Sequence, residues 1–482
     1  MAAATKRGRW PHRRERKRPA TEDVTIVEEP KVRRAVAAAA IGNTMEWFDF
    51  GVFSYITVVI SRVFFPSSSP TAQLLSTFAT FAVAFLVRPL GGFFFGPLGD
   101  RIGRRKVLAI TMVTMAAGTF AIGLIPSYAS IGIGAPILLL VARLVQGFST
   151  GGEYGGATTF VAEFSPDRRR GFMGSWLEFG TLVGYSLGAA VVTVLTITLP
   201  EDALLSWGWR IPFLLGGPLG LIGLYLRFRL EETPAFQQTG ESDDSGDEEN
   251  PRNTFREIFV DSWRPLLVCI GLVLVFNVTN YMLTAYMPTY LTVVLGFSHP
   301  QSLVLVLAVL LLVIGLVVRL GWRSDQWGRL PIVTLGSAAL IVLAVPMFLL
   351  MSLGHWWSVF LGVLVLGLIL VCFSGTLPST IPALFRTPVR YGGVSIGFNI
   401  AVALFGGTTP LISEALIGST GSTIAPAFLL VFAGAVGLVA VLFTRESARR
   451  ALPGSAPTAA SPAEARKTAR EQRQDTAHEP DG

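Results

Sequence analysis

A chain of 482 residues that is 51% hydrophobic and only 15% charged falls outside the make-up of a soluble globular domain. Its formal net charge of +7 implies no nucleic-acid partner, because the basic residues lie in a tail and in turns between apolar stretches. Cys269 and Cys372 sit in apolar stretches without metal-ligand spacing, so neither a disulfide framework nor a metal or cofactor site is expected.

Residues 1–33 open with a run dense in Lys and Arg and lack the apolar core of a cleaved signal. They are expected to be a disordered cytoplasmic tail that touches anionic lipid. From about residue 35 to about residue 445, apolar stretches of ~20 residues or more recur about twelve times, each long enough to cross a bilayer. They lack the alternation of barrel strands, so the expected fold is an all-α membrane protein of twelve transmembrane helices. The helices divide into two six-helix halves, 34–229 and 263–445. Between them, residues 230–262 include the acidic run from Glu241 to Glu249 and read as a cytoplasmic linker. Residues 446–482 are rich in Ala and Pro, carry no sustained heptad, and read as a second disordered cytoplasmic tail.

Lys and Arg set the orientation. The turns after the second, fourth, eighth and tenth stretches carry Lys106, Arg168, Arg169, Arg170, Arg323, Arg386 and Arg390 beside the arginines named below. Among the alternate turns Arg62 is the clear exception. The positive-inside rule places the basic turns and both termini in the cytoplasm of a bacterial cell, with the chain spanning its membrane many times.

One basic turn reads Gly96-Pro97-Leu98-Gly99-Asp100-Arg101-Ile102-Gly103-Arg104-Arg105. A second copy, Gly321-Trp322-Arg323-Ser324-Asp325-Gln326-Trp327-Gly328-Arg329, follows about 225 residues later. Duplicated halves with a shared turn are the plan of a transporter that rocks around a central site. The gating candidates are therefore Gly96, Asp100, Arg101, Gly103, Arg104 and Arg105, with Asp325, Gly328 and Arg329 in the second copy. The aspartates are placed to accept from a nearby arginine or from a helix N-terminus across the bundle.

Charge inside a membrane is costly, about 2.5–3.5 kcal/mol for a central residue, so each instance is a candidate for function. Glu46, Asp49, Arg88, Arg143 and Glu178 all fall near mid-depth, and all belong to the first half; the second half shows almost none. Glu46 and Asp49 share one helix face, where two close carboxylates favour carrying a proton, and the arginines stabilise the deprotonated state. The competing reading is a permanently neutral ion pair that only locks helix packing.

Several strings resemble known families. The turns at 96–105 and 321–329 resemble the signature turn of the major facilitator superfamily, and Arg143-Leu144-Val145-Gln146-Gly147 resembles its fourth-helix motif. Gly42 to Gly51, Arg88-Pro89-Leu90-Gly91-Gly92 and Ser165 to Gly171 resemble the metabolite:proton symporters. Trp207 to Phe213, Leu230 to Phe236 and Asn277-Val278-Thr279 resemble the proline/betaine transporters. The resemblance implies proton symport of a small zwitterionic osmoprotectant without a cofactor, and a coupling role for Arg143. In the second turn Arg323 and Gln326 depart from the superfamily pattern.

The substrate candidates are Trp47, Tyr55, Arg88, Asn277, Asn280, Tyr281 and Tyr286, because aromatic faces attract a quaternary ammonium and an arginine takes a carboxylate. Asn280 stands where the proline/betaine proteins carry Tyr, and a dicarboxylate, shikimate or citrate would use the same Arg88. A membrane sensor would need a folded output domain, and an enzyme a reaction centre; His12, His299, His355 and His478 form none.

Overall fold

The computed structural model describes residues 24–67, 69–102, 104–151, 153–229 and 257–467. Among them the chain is an all-α membrane protein of twelve helical spans. The first span comprises Glu29–Tyr55 and Thr57–Phe64, bent by 63° at Ile56. The second comprises Pro70–Leu86 and Arg88–Ile102, the third Arg104–Leu124, and the fourth Gly134–Ser149 with Glu153–Phe164. Arg170–Thr198 and Arg210–Arg229 are the fifth and sixth. The seventh runs from Trp263–Tyr281 through wide π turns at Met282–Tyr286 and Tyr290–Val294. His299–Trp327, Leu330–Met351 and Trp356–Ser374 are the eighth, ninth and tenth. The eleventh is Thr387–Ala401, a π turn at Val402–Gly406, and Thr409–Thr420; the twelfth is Ala425–Leu442.

Local chemistry starts these helices where expected. Pro70, Pro331, Pro388, Pro410 and Pro426 each occupy a first-turn position, where no amide donor is needed. Ser298 and Gln301 close a capping box on the eighth. The two halves repeat one packing plan: the third span lies on the sixth as the ninth lies on the twelfth, and the first on the fifth as the seventh on the eleventh. The halves meet mainly where the fifth touches the eighth and the second and fourth touch the eleventh.

Close approach in the first half depends on glycine. A Cβ on Gly147 would overlap the Ala84 carbonyl, and one on Gly151 the Arg88 carbonyl. Gly151→Ala is expected to cost about 1–3 kcal/mol by overpacking, read as a lower unfolding temperature of the detergent-purified protein.

Residues 446–467 correct the expectation of a disordered tail. They lie as a strap across the basic face and touch both halves. Thr458–Ala459 pairs in parallel with Thr25–Ile26, and Val24 packs with Ala459 and Ala465. Residues 24–33, also expected to be disordered, thus form a strand and the first turn of a helix. The cause is the demand of buried guanidiniums for acceptors. Arg170 donates to the Arg450 carbonyl (2.9 Å) and Arg390 to the Pro453 carbonyl (2.7 Å), while Arg449 reaches the Asp325 carbonyl (2.7 Å). Residues 1–23, 468–482 and the 230–256 part of the linker lie outside the described residues; of the linker's remainder, Glu257–Asp261 forms one π turn.

Glu446 anchors the strap's start by accepting from the backbone N–H of Arg329 and of Leu330 at the head of the ninth span. Burial pushes its carboxyl up, but those bonds, a third from Ala448 and the Arg329 charge outweigh it and hold it below the usual range. A depressed carboxylate stabilises the fold above its unfolded pKa of about 4.3 and loses that contribution as pH falls through the lower, folded value. Hydrogen exchange over 446–467 is therefore expected to stay constant from pH 7 to 5, after correction for intrinsic rates, and to rise only in stronger acid.

Candidate functional site

Glu46 and Asp49 share a helix face yet take different partners. Glu46 Oε1 accepts from Arg88 Nη2 at 2.7 Å, with both side chains at most 2% exposed. The Arg88 guanidinium also lies 4.8 Å from the Phe50 and Phe85 ring centres and 5.5 Å from that of Trp47. Asp49 Oδ2 instead accepts from the Thr119 hydroxyl of the third span at 2.7 Å. Thr119 Oγ1 accepts from Gln146 Nε2 (2.6 Å), and Gln146 Oε1 accepts from Arg143 Nη1 (3.0 Å). Arg143 therefore reaches Asp49 only through this relay. Its guanidinium sits 3.6 Å over the Phe53 ring centre, with Nε and Nη2 unbonded.

That difference has a chemical meaning. A guanidinium only donates, so a proton on Glu46 finds no acceptor in Arg88 and removes the charge that pairs with it. A hydroxyl both donates and accepts. Thr119 also lies 3.2 Å from the Met115 carbonyl, so it can turn its proton there and accept from a protonated Asp49. Asp49 keeps a partner in both states.

Glu178 does not join this group. It accepts from the Tyr154 hydroxyl, and the Tyr154 ring stacks on Phe398 of the eleventh span at 4.0 Å. Nearby, Asn399 Nδ2 crosses between the halves to the Gly151 carbonyl at 2.6 Å.

Of the substrate candidates, Trp47, Tyr55, Arg88 and Tyr281 come together, joined by Tyr185 of the fifth span. Trp47 lies 5.5 Å from Tyr185 and 6.0 Å from Tyr281, and Tyr55 lies 6.4 Å from Tyr185, between ring centres. The hydroxyls of Tyr55 and Tyr281 are buried without a hydrogen-bond partner among the described residues. The other three candidates are engaged elsewhere. Asn277 Nδ2 bonds its own helix at the Val273 carbonyl (2.8 Å), and Asn280 is buried on the same helix, where its backbone carbonyl, not its side chain, accepts from Thr284. Tyr286 turns to Glu414.

The second basic turn closes its face of the molecule. Asp325 Oδ1 and Oδ2 accept from the backbone N–H of Gly171 (2.7 Å) and Phe172 (2.9 Å), capping the fifth span across the halves. Arg329 approaches Asp325 at 3.5 Å. Gly328 holds a φ of +95°, and a Cβ there would meet Glu446 at 2.8 Å. A further bridge joins Arg390 to Glu163 at 2.8 Å. Gly96 lies within the second span, while Gly103 and the side chains of Asp100, Arg101, Arg104 and Arg105 lie outside what the structure describes. On the opposite face His299 Nε2 lies 3.1 Å from the Tyr55 carbonyl, and Phe78 packs on Tyr286. Contacts between the halves are thus made on both faces.

The sugar (and other) transporter family matches residues 35–454. The chain belongs to that family. It is thereby a membrane transporter of the major facilitator superfamily rather than an enzyme. It is 48% identical over 471 residues to the glycine betaine/proline/ectoine/pipecolic acid transporter OusA of Dickeya dadantii, covering 97% of this chain and 94% of that one. It is 49% identical over 459 residues to the proline/betaine transporter of Escherichia coli K12, covering 94% and 92%. Among solved structures the proton:xylose symporter XylE bound to 6-bromo-6-deoxy-D-glucose superposes with a TM-score of 0.67 at 18% identity, covering 88% of this chain and 98% of XylE.

Thr119, Gln146, Tyr154, Tyr185 and Glu414 escaped sequence reasoning. Gln146 sat inside a quoted motif, beside the Arg143 it accepts from. Thr119 gave no signal, because a hydroxyl in an apolar helix usually bonds its own backbone.

Proposed function

We propose that this transporter is a proton-coupled symporter that imports a small zwitterionic osmoprotectant, of the proline or glycine betaine type, by alternating access. The observation that carries the reading is Arg88 set among Trp47, Phe50 and Phe85, beside Tyr185 and Tyr281. Arg88 takes the carboxylate once it leaves Glu46, and the aromatic faces take the ammonium, at about 0.5–2 kcal/mol per contact. The names of the similar proteins point the same way.

The halves are 34–229 and 263–445, the basic face is cytoplasmic together with both termini, and the membrane is that of a bacterial cell. Asp49 takes the proton from outside while the outer face is open, and Arg143 holds the deprotonated form. Substrate binding draws Arg88 from Glu46. The cytoplasmic contacts at Asp325 and Arg390 then part, and substrate and proton leave inward. The proton gradient is the only energy source, and no cofactor takes part. Radiolabelled betaine and proline uptake into proteoliposomes under an inward proton gradient tests this. Uptake abolished by a protonophore supports it; transport of a dicarboxylate or shikimate in place of either would move the substrate to organic acids.

A further inference from the structure

We propose that the outer end of the path holds a second subsite, built by Glu414, Tyr286, Tyr290 and Phe78, that receives the cationic head of a substituted ammonium compound. Glu414, on the eleventh span, is 4% exposed, yet it forms no ion pair among the described residues. Among the described residues its one hydrogen bond comes from the neutral Tyr286 hydroxyl to Oε2 at 3.1 Å. A largely buried carboxylate given a single neutral donor lacks part of its compensation, and a cation is a group that supplies it.

The surroundings select the kind of cation. The Tyr286 ring centre lies 5.9 Å from Phe78 and 6.1 Å from Tyr290. Aromatic faces of this kind attract bulky, weakly hydrated ammonium groups. The subsite also lies on the seam: Phe78 belongs to the first half and Tyr286, Tyr290 and Glu414 to the second. It opens when the outer face parts and closes as Phe78 meets Tyr286. Resting on the symport reading, the subsite is where a zwitterion's ammonium first docks before its carboxylate reaches Arg88.

Tetramethylammonium is the probe, because Arg88 repels a cation without a carboxylate and leaves Glu414 as its site. Its binding to the full-length purified protein is read by tryptophan fluorescence, alongside its competition against betaine uptake. Glu414→Gln is expected to weaken binding at least about tenfold and Tyr286→Leu comparably, whereas Tyr286→Phe, which keeps the ring, stays within about threefold of wild type. Each variant is compared only after eluting as wild type on size exclusion. Equal binding by wild type and Glu414→Gln, or no binding by wild type, would overturn the subsite. So would a Glu414→Gln protein whose uptake loses pH dependence with tetramethylammonium binding intact, which would make Glu414 a proton carrier. Betaine transport by wild type is scored separately, so failure of the symport reading is seen apart from failure of the subsite.

Discussion

Asp49→Asn is expected to lower proton-driven accumulation of substrate on the order of a hundredfold while sparing exchange of internal for external substrate. Asn is close to isosteric with Asp and still accepts from Thr119, so the helices keep their packing and substrate still cycles. The missing step is the proton. Glu46→Gln is expected to behave differently: it strips the buried Arg88 of the one carboxylate it pairs with among the described residues. Breaking a buried pair in this way costs about 3–5 kcal/mol and should appear as lost yield and thermal stability. Proteoliposomes assayed with and without a proton gradient, and by counterflow, separate the two. Full gradient-driven accumulation by Asp49→Asn would remove Asp49 from the coupling scheme.

Asp325→Ala is expected to shift the resting protein toward the cytoplasm-open state by roughly 5–30 fold, corresponding to about 1–2 kcal/mol for a lost helix cap. The carboxylate caps Gly171 and Phe172 only while the fifth and eighth spans touch, so loss of those two bonds weakens that state, whereas its contact with Arg329 lies within the second half and is lost in either state. Ser175 reports on the same contact, since a Cβ on Gly321 would run into it. In a Cys269→Ser/Cys372→Ser background, Ser175→Cys should react correspondingly faster with a maleimide once Asp325 is replaced. An unchanged rate would show that Asp325 does not hold the closed state.

The spans and their duplication could be read from sequence because each rests on one property summed over many residues: apolar length and a repeated turn. Arg88, Glu46 and Asp49 stood out because charge is rare at that depth. Which carboxylate meets which cation was not legible, since Asp49 and Glu46 are three residues apart and their partners lie on different helices. The strap was misread for a related reason. An Ala- and Pro-rich segment buries too little to order itself, but here its carbonyls serve arginines already buried in the two halves. Glu414 was overlooked beside the five charges of the first half, although it is buried and meets an aromatic hydroxyl.

The pairing of Thr25 with Thr458 also bears on how the protein is made. On a ribosome adding about 5–20 residues per second, the 433 positions between them (458 − 25) separate the two strands by roughly 20–90 s. For that interval the first half is already in the membrane while Asp167 and Ser165, later engaged by Thr458, still lack that partner. Fastening of the basic face is thus among the last events of biogenesis, and a nascent chain cut short before Thr458 would leave behind a bundle that had never been latched.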